Sequence, residues 1–291
     1  MTVRRVPRVR SALARLMACL SLATVATSRA AAQGVTVSPP VVVIDARTRT
    51  GQLDLFNPGR EPVEVAVVLR YGIPATDSLG NVFVPLDSAP PANRRAATAW
   101  VEAFPRRTTI LPGARQTVRF LARPPADLAD GEYSTRVVTS SKSAAIPLSV
   151  GDSASGISAR LNVEVHTVTT LLVRKGAVQT SLELGTPRLS VRNDSLLVQV
   201  RAVPGGTAAW LGTLRGSFIS EQGRIFDFLE RPIGIYEAIE PSFAIARGAL
   251  PPGRYRLVVT GRVDRLDVPR GLLTPAPEAR VETVVEVPGQ P

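Results

Sequence analysis

The chain has 291 residues, of which 44% are hydrophobic and 20% are charged, and its formal net charge is +11 at pH 7. A chain of this length is long enough for two domains of ordinary size. Its single cysteine and single histidine exclude a disulfide framework, a thiolate zinc site and Cys–His catalysis. The arginines are scattered along the sequence, so the positive charge does not require a nucleic-acid partner.

The first 32 residues have the pattern of a secretory signal peptide. Five arginines precede an apolar run over residues 16–26, and three consecutive alanines end at Ala32. We expect cleavage after Ala32, which removes Cys19, and export of the remaining chain to the periplasm. The apolar run is too short to span a bilayer and no later segment reaches about 18 apolar residues, so no integral membrane segment is predicted.

Short strand-like runs bounded by glycine, proline, asparagine and aspartate follow from Val35 to the end of the chain. In the first half they cover residues 35–37, 41–44, 52–56, 63–71, 99–103, 116–122 and 133–140. In the second half they cover residues 181–184, 188–191, 196–203, 213–220, 224–229, 242–246, 255–263 and 281–287. Because no window shows a capped helical period, the spacing predicts an all-β protein with two immunoglobulin-like β-sandwich domains in tandem, residues 33–175 and 176–291.

One local pattern occurs in both halves. A tight turn that contains a glycine leads into Tyr133 in the first half and into Tyr255 in the second, and each tyrosine opens a strand. The pattern is typical of the tyrosine corner of immunoglobulin-like domains, in which the tyrosine hydroxyl is bonded back to the turn. The alternative is two ordinary turns that happen to precede an aromatic residue.

The most regular alternation in the chain covers residues 159–175. Leu161, Val163 and Val165 begin a series with a period of two, which predicts one long strand after a flexible Ser/Ala/Gly-rich loop at residues 141–158. At the edge of a sheet, such a strand offers its main chain and its apolar stripe to another protein. His166, on the polar side of the strand, is interpreted as a surface residue, since one imidazole does not make a zinc site.

No arrangement of residues in the sequence favours catalysis. The carboxylates of Asp227, Glu230, Glu237 and Glu240 have the chemistry of a glycosidase pair, but acidic loop residues of a β-sandwich usually contact only solvent. Ser217 lacks the Gly-x-Ser-x-Gly elbow, and no phosphate-binding or dinucleotide-binding loop occurs. The sequence therefore predicts a protein that is not an enzyme and that binds no cofactor and no metal.

Four segments of the first half occur in the order seen in a known family. They are residues 52–57, the Leu-Pro-Gly turn at 111–113, the strand at 116–120, and residues 132–139. Over about residues 35–175 the chain resembles periplasmic pilus-assembly chaperones of the PapD-like type, as a divergent member. The resemblance implies that the long strand, residues 159–174, is lent to an incomplete pilin subunit and completes its sheet. The client-strand residues are then Leu161, Val163 and Val165.

The resemblance also implies a charged anchor that this sequence lacks. The family binds the terminal carboxylate of its client with an arginine on the first strand and a lysine on the long strand. The matching positions here are Val41 and Thr170, and neither side chain carries a charge. The basic residues that remain as candidates for a cleft or carboxylate anchor are Arg47, Arg49, Arg174 and Lys175.

Two functions are compatible with these features. In the first, the chain is a periplasmic chaperone whose partners are pilin-like or other secreted subunits and an outer-membrane usher. In the second, it is a structural or adhesive immunoglobulin-like exported protein without a client. The first predicts that Leu161, Val163 and Val165 are exposed on an edge strand, whereas the second predicts that they face the core.

Overall fold

The computed structural model describes residues 34–289 except for residues 88, 92–93, 143–145, 150–157 and 162. The predicted signal peptide and Cys19 lie outside the described residues. Within them the chain is all-β, as predicted, and its helical segments are two 3₁₀ turns, Arg247–Ala249 and Arg270–Leu272. No helix of the described part has the length and hydropathy needed to cross a membrane.

The strands of the first half form two sheets and two short hairpins. Their bounds are β1 Thr36–Ser38, β2 Val41–Asp45, β3 Thr50–Phe56, β4 Val63–Arg70, β5 Ala75–Thr76, β6 Val82–Phe83, β7 Val101–Phe104, β8 Arg107–Ile110, β9 Arg115–Ala122, β10 Gly131–Lys142, β11 Ile146–Ser149, β12 Ser158–Leu161 and β13 Glu164–Lys175. One sheet has the order β1-β3-β9-β7 and the other β2-β13-β10-β4-β8. The alternate side chains that face inward from both sheets, among them Ile44, Leu53, Phe120 and Leu171, are fully buried in one core.

The second half forms another sandwich with its own core. Its strands are β14 Thr180–Leu184, β15 Arg188–Arg192, β16 Ser195–Gln199, β17 Ala202–Gly206, β18 Trp210–Ser220, β19 Ile225–Ile235, β20 Ser242–Ala246, β21 Gly253–Arg262 and β22 Ala279–Val287. The sheet β19-β18-β21-β22 packs with the sheet β15-β16-β20 and the hairpin β14-β17. Trp210, Leu214, Phe218 and Leu257 are buried at its centre.

Both predicted tyrosine corners are present. The hydroxyl of Tyr133 donates to the carbonyl oxygen of Ala129 at 2.9 Å, and that of Tyr255 donates to Pro251 at 2.8 Å. In each case the acceptor lies four residues upstream, in the turn before the strand. The hydrogen bonds therefore fix the entry into β10 and β21, the central strands from which the remaining pairings extend.

Removal of either hydroxyl is expected to destabilise the fold by a small and similar amount. Tyr133→Phe and Tyr255→Phe keep the ring in the core and each lose one hydrogen bond, which contributes about 0.5–1.5 kcal/mol net. Urea unfolding monitored by circular dichroism measures the difference. A loss below about 0.3 kcal/mol at both positions would mean that solvent replaces these bonds without penalty.

The long strand and the long loop differ from their predictions. β12 ends at Leu161 and β13 begins at Glu164, so residues 159–174 do not form one continuous strand. Lys142 pairs with Glu164, and Ile146 pairs with Leu161. Three residues separate Lys142 from Ile146 but only two separate Leu161 from Glu164, so the register shifts by one residue. The predicted loop is shorter than residues 141–158, because β10 extends to Lys142 and β11 lies within it.

Candidate functional site

β13 is paired on both sides along only half of its length. β10 pairs with it over its whole length, from Glu164 to Lys175. On the other side β2 runs parallel to it and pairs only with Thr170–Arg174. Among the described strands, none pairs with the β2 side of Glu164–Thr169. We call this side of Glu164–Thr169 the open edge.

The backbone groups that face the open edge follow from the pairing with β2. The N–H of Thr170 donates to Pro40, and the carbonyl oxygen of Arg174 accepts from Ala46. Because backbone groups alternate between the two sides of a strand, the N–H and C=O groups of every second residue face the same way. Those of Glu164, His166 and Val168 therefore face the open edge, available to a further strand.

The side chains beside the open edge lie on two faces. Val163, Val165 and Thr167 are half-buried and continue the face that enters the core at Thr169. The side chain of Leu161 lies outside the described residues. Of the predicted client-strand residues, Val163 and Val165 are thus neither fully exposed nor part of the core.

The opposite face carries an apolar row that crosses three strands. Val168 pairs with Val138, and Val138 pairs with Val68. Val168 and Val68 are 43% and 44% exposed, whereas Val138 between them is buried. An extended segment on the open edge would therefore meet an apolar surface beside the backbone groups.

Charged side chains lie at the Glu164 end of the open edge. Glu164 lies 3.4 Å from Nζ of Lys142 and 3.6 Å from Nε2 of His166. Nδ1 of His166 lies 2.9 Å from the hydroxyl of Ser140. Charges on an edge strand limit unspecific pairing with other strands, and His166 is an exposed surface residue, as predicted.

The two positions matched to the family's anchor are neighbours in the ladder, since Val41 pairs with Thr170. Val41 is 2% exposed and packs with Leu172, Leu211 and Leu273 in a small apolar cluster between the two sandwiches. This valine therefore stabilises the contact between the sandwiches, and its position offers no polar group to a ligand.

The basic residues predicted as substitutes all have partners within the chain. Nε of Arg49 donates to the carbonyl oxygen of Ala46 at 3.3 Å. Arg47 lies in solvent and pairs with Asp45, whose pKa is held below its ordinary value first by the backbone N–H of Arg47 and then by its guanidinium. Arg174 bonds Glu132 and the carbonyl oxygen of Leu272. Lys175 bonds the carbonyl oxygen of Leu128.

A different arginine, which the sequence analysis did not single out, lies beside Thr170. Arg136 is 4% exposed; its Nε donates to the carbonyl oxygen of Gly72 at 2.7 Å and its Nη1 to the hydroxyl of Thr170. The guanidinium also stacks on the ring of Tyr236, 4.9 Å from the centroid. Its Nη2 is buried and has no hydrogen-bond partner among the described residues.

Within the described part no carboxylate forms an ion pair with Arg136. Arg70, which makes an interaction of its own, is directly opposite Arg136 in the ladder with β4. Burial raises the pKa of the nearby Tyr71, so its phenol is neutral and supplies no negative charge. A buried cation with an unpaired donor is unfavourable unless an anion joins it.

The sequence contains one signal for this residue. Arg136 interrupts a strand whose other residues, from Tyr133 to Ser140, are uncharged. A lone charge in the middle of a buried strand is uncommon without a partner. The partners themselves, Gly72 and Tyr236, lie too far along the chain to be inferred from spacing.

No protein-family model matches the sequence, and no curated protein matches it. Solved structures do match, and several of them are chaperones, including a fimbriae chaperone and a periplasmic chaperone. The likeness is one of fold. The YadV chaperone has a TM-score of 0.46 and 10% identity over 87% of this chain and 100% of that chain. The Escherichia coli chaperone DraB has a TM-score of 0.42 and 13% identity, over 86% and 97%.

A third match is a structure of the Salmonella enterica SafA pilin in complex with the SafB chaperone. It has a TM-score of 0.41 and 14% identity, and the match covers 87% of this chain and 97% of that chain. All three likenesses are at 14% identity or less.

Proposed function

We propose that the protein is a periplasmic chaperone that binds a secreted, pilin-like subunit through the open edge of β13. The observation that carries this proposal is the backbone of Glu164, His166 and Val168, with which no described strand pairs, on a strand whose continuation is fixed in a sheet. Addition of a strand to such an edge forms main-chain hydrogen bonds, while alternate side chains give specificity. The protein acts as a binding protein in this proposal, without a catalytic step.

The energy available from this edge is moderate. Each main-chain hydrogen bond contributes about 0.5–1.5 kcal/mol net. Each apolar side chain that becomes buried, such as Val163, Val165 or Val168, adds at most about 1.5–3 kcal/mol before ordering costs. Since Val163 and Val165 are already half-buried, their share is smaller, and a contact outside the strand must add affinity.

We propose that Arg136 supplies this additional contact. A bound segment on the open edge would lie in line with β2. It would have to end near Pro40, because the carbonyl oxygen of Pro40 already accepts from the N–H of Thr170. A segment parallel to β13 would bring its terminal carboxylate to Thr170 and Arg136. An antiparallel one would bring a positive amino group to the same guanidinium, which is unfavourable.

A proline at position 166 tests the edge itself. His166→Pro removes an N–H that faces the open edge and leaves the ladder with β10 intact, because proline is tolerated where the N–H faces solvent. His166→Ala is the matched control, since it removes the same imidazole but keeps the N–H. We expect pull-down from a periplasmic fraction to recover a partner with wild type and His166→Ala, and not with His166→Pro.

The alternative function has one observation in its favour. Val163 and Val165 are half-buried, as expected in part for a structural or adhesive protein that has no client. If wild type and both variants, all shown to be folded by circular dichroism, capture the same proteins or none, strand binding at this edge is wrong. The structural or adhesive function then becomes the better explanation.

A further inference from the structure

A segment of the first sandwich extends onto the second. It comprises residues 72–87, which we call the strap, and contains the hairpin of β5 and β6. The carboxylate of Asp77 closes the turn of this hairpin, accepting from the N–H groups of Leu79 at 2.8 Å and Asn81 at 2.9 Å. Backbone hydrogen bonds of 2.8 Å in both directions between Tyr71 and Asp87 join the two ends of the strap.

The tip of the strap is docked on the second sandwich. The N–H of Ser242, the first residue of β20, donates to the carbonyl oxygen of Gly80 at 2.9 Å. The N–H of Glu240 donates to the hydroxyl of Thr76 at 3.2 Å, and Val82 packs against the second core. Most side chains of residues 77–87 are exposed, and short exposed hairpins are typical of segments that open locally.

The base of the strap holds the buried guanidinium. The carbonyl oxygen of Gly72 accepts from Nε of Arg136. The other limb of the strap presses against Gly72, because a Cβ atom there would lie 2.5 Å from the carbonyl oxygen of Pro85 and 3.0 Å from Leu86. Only glycine fits here, so the two ends of the strap are in contact at Gly72, the residue that binds Arg136.

We propose that the strap is a cover that closes over Arg136 and opens when its tip leaves the second sandwich. With the strap closed, Nη2 of Arg136 is buried and has no hydrogen-bond partner among the described residues, so an anion reaches it only after the strap moves. The inference rests on the proposed function for the identity of the anion, a carboxylate of the bound subunit. The movement itself is independent of any client.

Two glycine variants separate undocking from backbone strain. Gly80 and Gly223 have φ angles of +79° and +78°; a Cβ at Gly80 would lie 2.5 Å from Cβ of Ser242, whereas nothing lies within 4 Å at Gly223. Gly80→Ala and Gly223→Ala therefore share the strain of a left-handed backbone, and only the first also pushes the strap away from β20.

The readouts are hydrogen exchange of the backbone amides at residues 71–87 and 240–242, and phenylglyoxal modification of Arg136 followed by mass spectrometry. The exposed Arg47 is the internal reference for the reagent. For Gly80→Ala we expect exchange in both segments and modification of Arg136 to accelerate by about tenfold or more relative to wild type. For Gly223→Ala we expect both rates to match those of wild type.

Two results would overturn the proposal. Exchange in the strap that is equal in the two variants would mean that its tip is not held by β20. Faster exchange without faster modification of Arg136 would mean that the strap opens but does not cover the guanidinium. Because neither measurement uses a client, failure here is distinct from failure of the proposed strand binding, which the His166→Pro comparison reports.

Discussion

Glu132→Ala is expected to lower the free energy of unfolding by about 3–5 kcal/mol, the range found when one member of a buried ion pair is removed. The side chain of Glu132 is 2% exposed, and its Oε2 accepts from Nε of Arg174 at 2.7 Å. Its Oε1 accepts from the N–H of Ala209 at 3.1 Å. Arg174 also donates to the carbonyl oxygen of Leu272 at 2.7 Å, so one carboxylate organises contacts on both sandwiches.

The measurement uses the two tryptophans of the chain. Trp100 packs beside the first core and Trp210 lies in the second, so their fluorescence in urea reports the two sandwiches separately. The variants Trp100→Phe and Trp210→Phe each keep one tryptophan. With Glu132 in place, we expect both variants to show the same unfolding transition. Loss of Glu132 is expected to separate the two transitions, since its contacts join the sandwiches.

Glu102→Ala is the matched control for this prediction. Glu102 also pairs with an arginine, Arg123, but the two side chains are 51% and 64% exposed. Exposed pairs contribute about 0–1 kcal/mol, so this variant should unfold almost as the parent does. If Glu132→Ala loses no more stability than Glu102→Ala, the buried pair does not hold the sandwiches together.

The features that sequence reasoning predicted correctly are local. The alternation of apolar residues in a strand and the turn before Tyr133 or Tyr255 are contained in a few consecutive residues. They therefore predicted the all-β fold and both tyrosine corners. The predicted boundary between the domains at residue 176 is consistent with a separate core on each side, but it stays a prediction.

The features that were missed depend on distant residues. β13 begins at Glu164 because of its register with β10, and the period-two pattern of residues 159–175 contains no trace of that shift. β19 was predicted to end at residue 229 but continues past Pro232 to Ile235. Proline is tolerated there because β19 is an edge strand, where a missing N–H breaks no ladder.

The predicted anchor residues stay a prediction, and Arg136 was not among them for the same reason. Arg47, Arg174 and Lys175 were selected because they are basic and close to matched positions in the sequence. Arg136 reaches Thr170 through the pairing of β10 with β13, 34 residues apart, and Gly72 from 64 residues away. Only the sheet brings these residues together, and the position of the buried charge follows from the register.

The double variant Arg136→Met, Thr170→Val is expected to be more stable than the parent by about 1–4 kcal/mol, as found when buried charges are replaced by apolar residues of similar size. Methionine can pack on the ring of Tyr236 in place of the guanidinium. The valine removes the hydroxyl that would otherwise lose its donor. The carbonyl oxygen of Gly72 does lose its donor, at a cost of about 1–3 kcal/mol, so the gain is expected at the lower end of this range. Urea unfolding measures the gain.

The same double variant is expected to bind the captured subunit about 10–150-fold more weakly, which corresponds to one charged hydrogen bond of about 1.5–3 kcal/mol. Arg136→Lys is the control, because it keeps the charge but loses the planar fork and should retain part of the affinity. Higher stability together with weaker binding distinguishes a ligand-binding arginine from a structural one. A double variant that is several kcal/mol less stable would show that Arg136 holds the fold, because its bonds to Gly72 and Thr170 would then outweigh the cost of its burial.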